Sequence, residues 1–222
     1  MTTGETTTPA KRRQREPGAP KDAERTRADI LIAATREFAE NGYSGARIEH
    51  IVERMRTSKR MIYYYFKDKR GLYSAVLEQY YRSLREAEGD LKLDERPPLD
   101  ALRELISFTF DYHFAHPDRV RLVMVENIHK GRHLSALPFL EELNATVIQA
   151  MARICERGAA EGVIRADADP LEIYLSIAAV SFFNVSNRYT VAAIFKYDMA
   201  APAAYAARKQ HATDMILRYV AA

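Results

Sequence analysis

The run Ser58-Lys59-Arg60-Met61-Ile62-Tyr63-Tyr64-Tyr65-Phe66 packs two cations and three phenols into nine positions. As a helix it is about two turns long, and one side of it is too polar for an interior. Such a set suits a helix pressed into the major groove of duplex DNA. Cations neutralise phosphates, hydroxyls donate to phosphate oxygens, and planar rings pack on thymine methyls and sugars. The N-terminal end of such a helix points at the bases, so Lys59, Arg60 and Met61 are the expected readers, with the phenols of Tyr63, Tyr64 and Tyr65 behind them. Asp68 is the expected cap of the next helix, whose N-terminus, with Lys69, can hold a further phosphate. The competing reading is a solvated hairpin on a helical bundle.

The flanking pattern supplies the elements that must hold this segment. Asp22 is a plausible N-cap, Ile30, Ala33, Ala34 and Phe38 recur at helical spacing, and Asn41-Gly42 is a stop, which predicts a first helix over about 23–41. A second helix over about 46–54 turns Ile48, Ile51, Val52 and Met55 inward. Arg56-Thr57-Ser58 breaks it, and Ser58 caps a third helix over about 58–65. The fourth runs from Lys69 through Leu72, Val76, Tyr80 and Leu84 to about 91. Pro97-Pro98, His116-Pro117, Gly131, Gly162, Asp169-Pro170 and Pro202 then punctuate five more, with the seventh over about 135–161, the eighth over about 169–194 and the ninth after Pro202. No useful β-period alternation occurs. The expectation is an all-α chain of nine helices: a basic arm over 1–21, disordered when free, a helix-turn-helix unit over 22–70, and a larger helical unit over 71–222.

Charge is divided along the chain. The 222 residues carry 33 Lys/Arg against 30 Asp/Glu, but the first 72 hold 16 against 10 and the remainder 17 against 20. A basic head on a mildly acidic body implies that one part meets a polyanion and the other does not. The lone Cys155 excludes an intrachain disulfide and a Cys-rich zinc module, and it sits on an apolar stretch beside Ile154, where packing rather than reactivity is expected. The first 20 residues have no apolar core, and the most apolar stretch, from Ile173 to Val185, is too short for a bilayer. A cytoplasmic chain with no membrane partner is expected.

Gly42-Tyr43, Ile48, Ile51-Val52, Thr57-Ser58-Lys59, Ile62-Tyr63-Tyr64-Tyr65-Phe66, Lys69 and Leu72 together resemble the signature of TetR-family transcriptional regulators, over roughly residues 25–75. The resemblance implies Lys59 and Arg60 as base or phosphate readers, Tyr63 and Tyr65 as groove-wall contacts, and Lys69 as a phosphate contact. It also implies Ile48, Ile51, Ile62, Phe66 and Leu72 as the small core beneath them. Three positions depart from the family's pattern. Ala46-Arg47 stands where Thr-Thr often opens the second helix; a lost hydroxyl cap costs about 1 kcal/mol, while Arg47 offers a replacement phosphate contact. Arg56 stands where the turn usually has Gly. Arg60 replaces the usual Gly of the reading helix and can grip a guanine edge bidentately, which implies a G in each half-site. The basic arm Lys11, Arg12, Arg13 and Arg15 either follows a minor groove or stays a solvated tail.

A single half-site reader binds weakly, so the motif argues for a homodimer on a near-palindrome. The eighth helix is apolar nearly all round and needs cover on both sides, which makes the eighth and ninth helices the expected interface. The fifth to eighth helices are expected to enclose a small-molecule pocket, with Phe108, Tyr112, Met124, Asn127, Phe183, Asn184, Asn187 and Arg188 as candidate contacts. Arg188 pairs either a ligand carboxylate or Glu126. The pairs His129/His133 and His113/His116 have spacings that can hold a metal, but no His-Glu-x-x-His, P-loop, Gly-x-Ser-x-Gly or dinucleotide fingerprint accompanies them. Glu86/Glu88 and Glu141-Glu142 read as solvated faces. No enzyme, metal or cofactor is expected. The expected function is a ligand-responsive DNA-binding regulator, most simply a repressor released from its operator by a small molecule; the alternative is an all-α binding module that never touches DNA.

Overall fold

The computed structural model describes residues 20–55 and 57–222, with side chains from residue 23. The expected basic arm and Arg56 lie outside the described residues. Among the described residues the chain forms ten α-helices and no strand. They are α1 (Pro20–Gly45), α2 (Ile48–Met55), α3 (Lys59–Phe66), α4 (Lys69–Gly89), α5 (Pro98–Ala115), α6 (Pro117–Ile128), α7 (Leu140–Ala160), α8 (Pro170–Ser186), α9 (Arg188–Phe195) and α10 (Pro202–Val220).

The expected nine became ten because the predicted eighth helix breaks at Asn187, whose backbone (φ −104°, ψ 4°) leaves the helical region and starts α9. The first helix is longer than predicted. It is interrupted at Gly42 (φ 65°, ψ 177°), as Asn41-Gly42 suggested, but one further turn reaches Gly45. The seventh helix starts later, at Leu140, because Pro138 forces Leu137 into an extended conformation after a 3-10 turn over Leu134–Ala136. Asp68 and Asp169 cap α4 and α8, accepting from Gly71 N at 2.7 Å and Leu171 N at 2.8 Å. Ser58 stands at the cap position of α3, but its hydroxyl makes no capping bond.

The helices pack around two apolar cores. One gathers Ile30, Phe38, Ile51, Ile62, Leu72 and Tyr73 from α1–α4, with Leu122 of α6 inserted into it. The other gathers Leu102, Ile106, Met151, Ile154, Ile177 and Ile216 from α5, α7, α8 and α10. Because α4 continues from the first core into the larger body, and α6 packs directly on α1, the small unit is bolted to the large one at two places. Cys155 is buried in the second core, and burial pushes its thiol pKa up. Among the described residues no helix is long and apolar enough to cross a membrane.

Gly158 of α7 marks the closest approach in the large body. A methyl group there would meet the Ile164 side chain at 2.5–2.8 Å. Gly158→Ala should therefore lower unfolding free energy by about 1–3 kcal/mol, the usual cost of overpacking, in urea denaturation; an unchanged midpoint would contradict this packing.

Candidate functional site

The reading segment is held from behind. Ile62 and Phe66 of α3 are buried, while Tyr63 and Tyr64 stand 46% and 77% exposed. Lys59 and Arg60 are exposed as well, whereas Met61 and Tyr65 are half-buried. Tyr65 packs between Tyr64 and Phe66, with ring centroids 5.2 and 6.1 Å away. The outward set is thus Lys59, Arg60, Tyr63 and Tyr64, with Tyr65 acting partly as a prop. Lys59 is not free: its Nζ donates to Glu49 on α2 at 2.5 Å, and that hydrogen bond raises its pKa. The pair is exposed on both sides, so exchanging Glu49 for another anion costs little.

The turn from α3 to α4 is tight. Lys67 adopts φ 66°, Asp68 N–H donates to the Phe66 carbonyl at 2.8 Å, and a side chain at Gly71 would collide with that same carbonyl. Lys69, at the start of α4, donates to the Ser44 carbonyl at 3.2 Å and lies 5.1 Å from the Tyr43 ring. It is therefore tied to the corner between α1 and α2.

Glu37 of α1 organises that corner, and the sequence reading did not single it out. Its carboxylate is wholly buried. Oε1 accepts from the Arg47 backbone N–H at 3.0 Å and meets His50 Nδ1 at 3.0 Å, and Arg54 approaches Oε2 at 3.6 Å. The N–H at the start of α2, which lost its hydroxyl cap when Ala46-Arg47 replaced Thr-Thr, thus finds a carboxylate from another helix. The Arg47 side chain remains exposed. The sequence signal was an acid beside Phe38 in the buried stripe of the first helix.

A second buried carboxylate, Glu126 of α6, joins the small unit to the large one. Oε1 accepts from Tyr73 OH at 2.9 Å and His133 Nδ1 at 2.9 Å; Oε2 accepts from the backbone N–H of His133 at 3.1 Å and of Leu134 at 3.2 Å. Burial alone would raise its pKa, but these bonds outweigh burial and hold it below the usual carboxylate range. An ionised carboxylate only accepts, so His133 carries its proton on Nδ1. The His133 ring lies 4.4 Å from Tyr43 and 5.0 Å from Tyr73.

The eight candidate ligand contacts do not converge on one cavity. The Phe108 and Tyr112 rings meet at 5.4 Å, tilted by 40°, and the Tyr112 hydroxyl accepts from Arg119. Met124 and Arg188 border a small cleft between α6 and α8. Asn127 and Phe183 are exposed. Asn187 donates to Ser186 Oγ at the α8–α9 break. Arg188 donates to Tyr189 OH at 2.6 Å, which overturns the suggested Arg188–Glu126 pair, since Glu126 is saturated by other donors. Asn184 is buried, with Oδ1 accepting from Arg208 Nε at 2.7 Å and Nδ2 unpartnered.

The interior polar centre of the large body lies on α4 instead. Arg85 and Glu88 form a buried ion pair, and Arg85 also donates to Tyr174 OH at 2.7 Å. Arg85 Nε and Glu88 Oε1 have no partner among the described residues. His113 Nδ1 meets Ser181 Oγ at 3.1 Å. The reading of Glu88 as solvated is corrected: Glu86 is exposed, but Glu88 extends the buried stripe Tyr73, Leu77, Tyr80, Leu84 by one further turn. That stripe was the available signal. Glu141 and Glu142 are exposed. Among the described residues no cluster of three or more His, Cys, Asp or Glu could hold a metal ion.

Comparison with known proteins agrees with this geometry. Residues 30–76 match the model for bacterial regulatory proteins of the tetR family, and residues 98–216 match the tetracyclin repressor-like C-terminal domain. The chain is 39% identical over 196 residues to the HTH-type transcriptional repressor NicS of Pseudomonas putida, covering 88% of this chain and 92% of that one. It is 36% identical over 113 residues to the HTH-type transcriptional repressor SCO4008 of Streptomyces coelicolor, covering 51% of this chain and 55% of that protein. Among solved structures, the Streptomyces coelicolor regulator SCO4942 superposes with a TM-score of 0.68 at 27% identity, covering 88% of this chain and 98% of that one.

Two measurements check the buried charges. Glu37→Ala leaves the Arg47 N–H and His50 Nδ1 without their acceptor, while Arg54 keeps Glu40 at 2.8 Å, and should cost roughly 2–3 kcal/mol of stability; a loss near zero in denaturant titration would contradict the assigned role. Burial, with Arg85 adding to it, pushes the His113 imidazole down to about 4, so its contribution to folding is complete above 6.5 and is lost as pH falls toward 4. Burial, against the pull of Arg85, pushes Glu88 up to about 7, so its contribution is complete below 4.5 and is lost as pH rises toward 7. The two oppose each other. Glu88→Gln should therefore make stability fall more steeply than in the wild type between pH 7 and pH 4.5, by up to roughly 3 kcal/mol; parallel pH profiles would count against this picture.

Proposed function

The chain belongs to the TetR family of bacterial regulators, and from that premise we propose that it is a dimeric transcriptional repressor that leaves its operator when a small molecule binds. The observation that carries this reading is the outward face of α3. Lys59, Arg60, Tyr63 and Tyr64 project from a short helix whose other face is locked by Ile62 and Phe66. The division of labour follows the sequence: a reading head over 22–70 and an effector-binding and dimerisation body over 71–222. Repression rather than activation is favoured by the names of NicS and SCO4008, both called repressors. Such a role needs no catalysis and places the chain in the cytoplasm, where the DNA is.

Dimerisation is proposed through α8 and α10, the second of which is the ninth helix of the sequence reading. Leu171, Leu175 and Phe183 lie exposed along α8 at four- and eight-residue intervals, with exposed Ala179 between them. Met215 and Tyr219 are exposed on α10. A second copy would cover this apolar stripe, and the pair would carry two reading heads to successive major grooves. Phe183 belongs to this face rather than to a ligand pocket.

The effector is proposed to bind where α4, α5 and α8 meet. Arg85 Nε and Glu88 Oε1 are a buried donor and a buried acceptor without partners among the described residues, and such groups are the ones a ligand satisfies best. The effector would thus present both acceptors and donors, framed by Tyr174 and His113. Because α4 carries Arg85 and Glu88 at one end and leaves the reading helix at the other, a ligand that favours a different α4 position changes the separation of the heads.

Selection of binding sites from random duplexes tests the central assignment. The wild type should yield a near-palindrome with a G in each half-site, and Arg60→Ala should lose preference at that position while still binding, a discrimination of about 1–3 kcal/mol. An unchanged motif in Arg60→Ala would refute the assignment of Arg60 as a base reader.

A further inference from the structure

The loop after α6 is rich in cations and turns sharply. Lys130 and Gly131 both take left-handed backbone conformations, φ 58° and 66°, and Gly131 N–H closes α6 on the Glu126 carbonyl at 2.7 Å. Left-handed backbone disfavours any side chain with a Cβ, yet the first of the two positions holds a lysine. The loop folds back toward the corner between α1 and α2. A cleft of about 570 Å³ opens between them, bordered by Tyr43, Ser44, Arg70, His129, Lys130 and Arg132.

Among the described residues no carboxylate lines this cleft. Arg70, Lys130 and Arg132 have no ion-pair partner among the described residues, whereas Arg54, Arg82, Arg103 and Arg153 each meet an acid. The acid beneath the cleft, Glu126, is already occupied by four donors from Tyr73, His133 and Leu134. Three unpaired cations around one concavity are complementary to an anion.

Its position says which anion. Tyr43 and Ser44 form one wall, and the same two residues hold Lys69, the cation expected on a DNA phosphate. Arg47, exposed at the start of α2, follows three residues after Ser44. The cleft therefore continues the cationic surface of the reading head around the α1–α2 corner. We propose that it is a second phosphodiester site, in which Arg70, Lys130 and Arg132 hold the DNA backbone beside the half-site that α3 reads. This rests on the DNA-binding reading above. Backbone contacts add affinity without sequence information. Two of the three cations ride on the loop that Glu126 anchors, so a shift of α6 withdraws phosphate contacts at the same time as it moves the head.

The experiment measures operator affinity across a salt series for the wild type, Lys130→Gln/Arg132→Gln and Arg70→Gln, with Lys92→Gln as a remote charge control. Each phosphate contact contributes about 0.9 to the slope of log affinity against log salt. The double variant should lose about 2 in slope, one contact per protomer of the dimer, with an unchanged base preference. Arg70→Gln should fall in the same direction, and Lys92→Gln should match the wild type. Neutral methylphosphonate at one or two backbone positions should weaken the wild type but not the double variant. Wild-type slopes in both cleft variants overturn the proposal and leave the DNA reading intact. A wild type that selects no duplex overturns both.

Discussion

One carboxylate carries the joint between the two halves of the molecule. Glu126 is 1% exposed and accepts from four donors, which belong to α4 and to the turn after α6. An ion taken out of water is tolerated only when its lone pairs are filled, so each donor has to stay in place for the fold to keep the charge there. Tyr73 is thereby fixed on α4, and His133 is fixed against Tyr43 at the α1–α2 corner. A reading head that must present two short helices to one duplex needs such a joint, because small rotations at the corner become large displacements at the helix tip.

Glu37 does within the head what Glu126 does at its base. It replaces a local hydroxyl cap with a carboxylate from another helix, so the start of α2 depends on α1 rather than on its own sequence. The outward cations are treated differently. Lys59 is paired at the surface with Glu49, where the ion pair exchanges readily with other anions. Buried acids fix the frame, and the exposed Glu49 holds Lys59 only loosely. The Arg85–Glu88 pair is a third arrangement, buried but with one atom on each side unpartnered, which leaves it sensitive to what enters beside it.

Much of this was legible in the sequence. Helical spacing marked Ile48, Ile51 and Leu72 and the family resemblance marked Ile62 and Phe66 as core; Lys59, Arg60, Tyr63 and Tyr64 are outward as expected, Met61 and Tyr65 only half so, and Asp68 and Asp169 announced their helices as caps. What escaped was the partner of each buried charge. Glu88 reads as a solvated acid and Glu126 as a possible partner of Arg188, while Glu37 draws no notice, because the true partners are tertiary or, for Arg85, lie on a face whose burial only the full stripe of α4 reveals. The break at Asn187 escaped because the polar residues that close the apolar stretch, Asn184, Asn187 and Arg188, include no Gly or Pro, and such residues also occur within helices. The ligand candidates scattered for a related reason: composition marks aromatic and amide residues as suitable, but not which side of α6 or α8 each occupies.

The direct test of the Glu126 joint is the distance between the two reading heads. Spin labels at Glu53→Cys in a Cys155→Ser background report it by electron–electron resonance. Glu126→Gln keeps the size of the side chain but sets an amide N–H against two of the four donors whichever way it turns. The account predicts a narrow distribution in the parent protein and a broad one in Glu126→Gln, with helix content unchanged. Equal widths in the two would contradict it.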